Sequence, residues 1–85
     1  MHTVDLLEAA LSVADRLGYR LRQDWLDGSG GACQLSGQKW LFLDLAESPT
    51  EQLGMVLDAL RADPDLASTE LPAELEPLLR LRKSA

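Results

Sequence analysis

The sequence predicts an α+β domain: a two-layer sandwich in the order α-β-β-β-α(-α), with a three-stranded antiparallel meander and its helices on one face. Three observations carry this expectation. Apolar residues recur at helical spacing over 4–17 and again over 53–60. They alternate at strand spacing over 19–26, then crowd both parities of 39–45. A glycine-rich run and a Ser-Pro-Thr-Glu run punctuate these patterns. Eighty-five residues give room for one such core, so residues 1–85 are read as a single small domain.

The first helix is expected within 1–18. Val4, Leu7, Leu11 and Ala14 form one apolar stripe, which Leu6, Ala10, Val13 and Leu17 widen. Thr3 can cap its start, Asp5 and Glu8 suit its positive end, and Arg16 with Gly18 suits its close. The meander is expected over 19–45. In its first strand Tyr19, Leu21, Gln23 and Trp25 share the face assigned to the core, and Arg20, Arg22, Asp24 and Leu26 share the other. Gly37-Gln38 suits a two-residue hairpin turn that sets Leu35 opposite Trp40 and Cys33 opposite Phe42. The third strand, Lys39 to Leu45, is apolar on both faces and belongs in the centre of the sheet or against another subunit.

The second helix is expected over 49–62. Ser48 caps it, Pro49 fills its first position, Glu51 closes a capping box, and Asp63-Pro64 ends it. Residues 63–71 read as a polar connection. A short helix follows over 72–83, where Leu75, Leu78, Leu79 and Leu81 are apolar and Pro77 forces a kink or a restart.

Charge bounds the partners. The chain carries a formal net charge of −6, and from Asp44 to Glu76 nine carboxylates face one base, Arg61. Phosphate binding is driven by lysine and arginine releasing counterions, so neither nucleic acid nor an anionic membrane is an expected partner. One cysteine allows no internal disulfide. No basic leader and no apolar run of spanning length stands out, and a cytoplasmic protein is expected.

The stretch "DGSGGACQLSG", residues 27–37, is the one candidate site. Phosphate loops place glycines between a strand and a helix, whereas these glycines lead into a strand beside Asp24 and Asp27. Positive φ angles for a turn or bulge are the better account. Cys33 as a nucleophile needs a nearby base, and the only histidine is His2. Its alternation with Leu35 makes it an expected small buried hydrophobe. Asp24, Asp27, Asp44 and Glu47 fall near strand ends, yet their spacing matches no metal loop, and neither a metal nor a cofactor is expected. Arg20, Arg22 and Lys39 make a basic strand face that either blunts a sheet edge or meets an acidic partner.

The segments "LGYRLRQDWL", "SGGACQLSGQKWLFLDL", "SPTEQLGMVLDAL" and "LPAELEPLLR" together resemble a group of small, stand-alone bacterial proteins. That group has a Gly-Gly-x-Cys-x-Leu-x-Gly strand motif, a hydrophobic strand ending in Asp, a Glu-Gln-x-x-x-Leu helix and a terminal Leu-Pro helix. The matching positions are Gly30, Gly31, Cys33, Leu35, Gly37, Asp44, Glu51 and Gln52. Pro77 departs from the pattern. The resemblance implies a free-standing domain and no particular activity. It adds interest to Cys33 and Asp44.

The expected function is therefore that of an acidic interaction or regulatory module rather than an enzyme. A protein partner is expected, most simply a second copy of the chain, with Leu41, Leu43, Leu45, Leu78 and Leu79 as interface candidates. The alternative is a thiol-dependent ligand, redox or metal site built from Gly30, Gly31, Cys33 and Asp44.

Overall fold

In the computed structural model, which describes residues 2–28 and 30–80, helix α1 spans Thr3–Arg16. Its amphipathic stripe buries Leu7, Ala10, Val13 and Ala14. The start is capped by the backbone at His2, not by the Thr3 side chain. Strands β1 (Tyr19–Asp24), β2 (Gly31–Leu35) and β3 (Gln38–Asp44) follow, then helix α2 (Pro49–Ala62). The expected capping box is formed at α2. Ser48 Oγ accepts from the Glu51 amide and the Glu51 carboxylate accepts from the Ser48 amide, with Pro49 at the first position.

The sheet order is β1-β3-β2, with β1 parallel and β2 antiparallel to β3. It is thus a mixed sheet, and the expected antiparallel meander is corrected. On leaving β1 the chain skips one strand position, and β3 later fills the gap. Two strand spacings amount to about 9.6 Å, too far for a tight hairpin turn. Leu26, Gly28 and Gly30 of this crossing loop accordingly lie against the C-terminal end of β3. The central place of β3 explains its composition: Leu41 and Leu43 are buried with the helices, and Trp40 and Phe42 alternate to the other face.

The hairpin between β2 and β3 turns at Ser36-Gly37, whose φ angles of 51° and 80° are both positive, as a type I′ turn requires. Leu35 pairs with Gln38, Cys33 with Trp40 and Gly31 with Phe42. The register is two residues away from the expected one, so the same side chains still share a face, but the Cys33–Leu35 face is the one turned away from the core. β1 departs further. Leu21 and Trp25, assigned to the core, are 44% and 71% exposed. β1 is an edge strand that α1 covers only in part.

After α2, the expected polar connection contains a 3₁₀ turn, Pro64–Ser68, which buries Leu66. Among the described residues helix α3 is one turn, Glu76–Leu79, and the helix expected from residue 72 begins only at Glu76. Pro77 sits in its first turn, where a missing N–H costs no hydrogen bond, so it restarts the helix instead of kinking it. Arg80 fastens this segment by donating to the carbonyls of Leu66 and Thr69. The expected positions at Leu81, Arg82 and Lys83 lie outside the described residues. One apolar cluster joins α1, β3, α2, Leu66, Leu71 and α3, with Val13, Leu41, Val56, Leu60 and Leu75 at its centre.

Candidate functional site

Three places gather polar or reactive groups: the crossing loop, a cleft beside α2, and the sheet face that carries Trp40 and Phe42.

The crossing loop is fastened from below by Asp44, the last residue of β3. Its carboxylate is buried and accepts the amides of Leu26 (3.2 Å), Gly28 (2.5 Å) and Ala46 (2.9 Å). The Ala46 and Gly28 amides hold its carboxyl below the usual range, against burial, which works the other way. Gly30 lies directly on β3: a Cβ there would meet the Phe42 carbonyl oxygen at 2.9 Å. The glycines and Asp44 therefore form a loop seat whose anion-binding amides are already satisfied by the protein's own carboxylate. Asp24 is likewise engaged, by the Trp25 amide at 2.8 Å and by Arg22 at 3.7 Å. Among the described residues no three histidine, cysteine, aspartate or glutamate side chains converge as metal ligands.

The cleft measures about 360 Å³ and is lined by Tyr19, Gln34, Lys39 and Asp63, among others. Asp63 ends α2 with its side chain only 2% exposed. It accepts from the Lys39 ammonium at 2.8 Å, the Tyr19 hydroxyl at 2.9 Å and the Asp65 amide at 2.8 Å. Burial alone would raise the Asp63 pKa; the Lys39 ammonium and the Asp65 amide outweigh it and hold the carboxyl below its ordinary value. Burial and the hydrogen bond to Asp63 push Tyr19 up to about 12, and Asp63 also raises Lys39. All three groups are driven away from neutrality, whereas an acid–base catalyst needs a pKa near the working pH. The cluster is a clamp between the sheet and the end of α2. Lys39 thus belongs to the helix side and not, as expected, with Arg20 and Arg22.

The remaining sheet face carries an ordered pattern. On β3, Trp40 and Phe42 lie with ring planes 2° apart and centroids 5.9 Å apart. On β1, Arg20 stands beside Trp40 and Arg22 beside Phe42 in register. The Arg20 guanidinium carbon is 6.0 Å from the Trp40 ring centroid, within cation–π reach. On β2, Cys33 and Leu35 continue the same face; Cys33 is exposed and Leu35 is 54% exposed. The expected burial of Cys33 fails because the core lies on the opposite face of an edge strand. Neither Trp40 nor Phe42 joins the apolar cluster formed with the helices.

The interface candidates divide between core and surface. Leu41, Leu43 and Leu79 are buried within the chain's own core, Leu78 is half-buried against it, and Leu45 is 41% exposed. Of the ligand candidates, Gly30, Gly31 and Asp44 lie at the crossing loop, and Cys33 lies on the open face. Sequence reasoning passed over Trp40 and Phe42. Their signal is two aromatic residues at i and i+2 in a strand that is apolar on both parities. Scans against family profiles, curated proteins and solved structures find no match to this chain. No described helix is long and apolar enough to cross a membrane.

Proposed function

We propose that the protein is a two-layer α+β binding module, with helices as one layer and the sheet as the other, that acts by holding a protein partner on its open sheet face. The observation that carries this reading is the aromatic pair Trp40–Phe42 on the central strand, flanked by Arg20, Arg22 and exposed Leu35 and turned away from the apolar core. Aromatic residues and arginine are the side chains that most often anchor protein interfaces, and an apolar patch rimmed by polar groups marks such a surface. The titratable clusters support the same reading from the other side. Asp44 and the Tyr19–Lys39–Asp63 clamp spend their bonding capacity on the fold. Both another protein and a second copy of the chain belong to this class of occupant.

Native mass spectrometry of gently purified protein tests the proposal. The wild-type chain is expected to retain a second protein mass, which the exposed-face substitution Leu35→Glu removes without changing the circular dichroism of the fold. A bare monomer for wild type, or an equal retained mass in both, removes the reading.

A further inference from the structure

We infer that the occupant of the open face is a short segment of another protein that combines apolar side chains with carboxylates, and not a second copy of this chain. The inference rests on reading that face as the binding surface. It is argued from charge and from area.

The face is graded across its strands. The β1 side bears Arg20 and Arg22, the middle bears Trp40 and Phe42, and the β2 side bears Gly31, Cys33 and Leu35. The strand carboxylates of this face are Asp24, 3.7 Å from Arg22 at the rim, and Asp44, buried beneath the loop. A local basic edge thus stands on a chain of net charge −6, whose other described carboxylates lie in the helices, turns and loops. Two copies packed about a two-fold axis along the strands place β1 of one on β2 of the other, burying both arginines against Gly31, Cys33 and Leu35 with Asp24 the one carboxylate of that strand. Burying the surplus cation is costly. An axis across the strands stacks β1 on β1, where the register centred on Arg22 sets Arg20 opposite Asp24 but Arg22 on its own copy.

Area points the same way. Three strands at about 4.8 Å spacing, over five paired residues at about 3.3 Å, give a face of roughly 14 by 17 Å, or about 240 Å² in projection. Even doubled for relief, this falls short of the ~800 Å² per partner of a standard interface. It matches the footprint of one short helix or extended segment. A segment with apolar groups over Trp40, Phe42 and Leu35 and carboxylates along β1 satisfies the face. A polyphosphate strand meets only two arginines there, one of them already paired with Asp24, and the repulsion of the remaining charge.

The test uses three probes: a short peptide of Leu, Phe and Glu; the same peptide with Lys for every Glu; and a short oligothymidylate. Binding is mapped by backbone amide shifts. The Glu peptide is expected to shift amides around residues 20–22, 33–35 and 40–42. It should bind about tenfold or more tighter than the Lys peptide, with the gap narrowing in high salt. The double substitution Arg20→Glu/Arg22→Glu, at two exposed positions, should reverse the preference. Equal binding of the two peptides, or tighter binding of the oligothymidylate, overturns the inference and leaves the face as a binding surface. Shifts of those amides with protein concentration alone assign the face to a second copy and likewise overturn it. If no probe and no self-association moves them, the reading of the face fails as well.

Discussion

Gly30→Ala is the sharpest probe of the crossing loop. A Cβ at this position would stand 2.9 Å from the Phe42 carbonyl oxygen and 3.4 Å from the Asp44 amide nitrogen. Carbon–oxygen contacts between neighbouring strands settle at about 3.3–3.6 Å, so the backbone must open by at least ~0.4 Å. Both opposing atoms belong to the central strand, which β1 and β2 hold from either side, so the loop is the part that yields. In yielding it draws the Leu26 and Gly28 amides off Asp44. Overpacking of this kind costs about 1–3 kcal/mol, and in a domain of this size each kcal/mol lowers Tm by about 4–8 °C. Urea unfolding followed by far-ultraviolet circular dichroism reads the loss as a lower midpoint at unchanged slope. Gly54→Ala is the control. It lies within α2, and a Cβ there meets nothing within 4 Å. It should be no less stable than wild type, since alanine is the better helix former. A Gly30→Ala protein as stable as wild type would refute the seating of the loop on β3.

Four further outcomes follow from the same geometry. Asp44 has a depressed pKa, so its contribution to stability is full above the unfolded value of about 3.9 and is lost as pH falls through the folded value; denaturation midpoints taken into acid should fall further for wild type than for Asp44→Asn, and parallel curves would contradict the loop seat. Tyr19 is the only tyrosine, so tyrosinate absorbance reads it alone, and its titration in the folded protein should centre at about 12 and move toward 10 in Asp63→Asn. Raised Tyr19 and Lys39 values give stability that is present below about pH 10 and lost as pH rises through the folded values; an alkaline limb as flat for wild type as for Asp63→Asn would speak against the clamp. Cys33 should react with a thiol reagent in the folded protein, since it is exposed; protection lifted only by denaturant would return it to the core.

What the sequence disclosed was what neighbours along the chain decide. The Ser48-Pro49-Glu51 cap, the stripe of α1 and the two-faced apolarity that puts β3 at the centre are local or periodic signals, and each has its counterpart in the structure. Strand order is not local. "DGSGGACQLSG" reads alike whether it joins adjacent strands or skips one. The difference lies in Asp44, sixteen residues beyond Gly28, whose carboxylate receives the loop. The clamp has the same character: Tyr19, Lys39 and Asp63 are 44 residues apart at their widest, and no spacing rule connects them. Cys33 was misjudged because alternation gives the face of a strand but not which face is covered.

The skipped strand position also fixes an order of assembly. β1 and β2 are both synthesised before β3, yet neither touches the other, and each has β3 as its sheet partner. On the ribosome, β1 must wait, unpaired, until the segment that separates it from β2 has emerged. The β2–β3 hairpin, closed by two residues, can pair as soon as β3 is out, whereas β1 can pair only with the other edge of that same strand. A chain truncated before residue 38 has two strands and no sheet, so partial products of this domain offer proteases an open target until the last strand arrives.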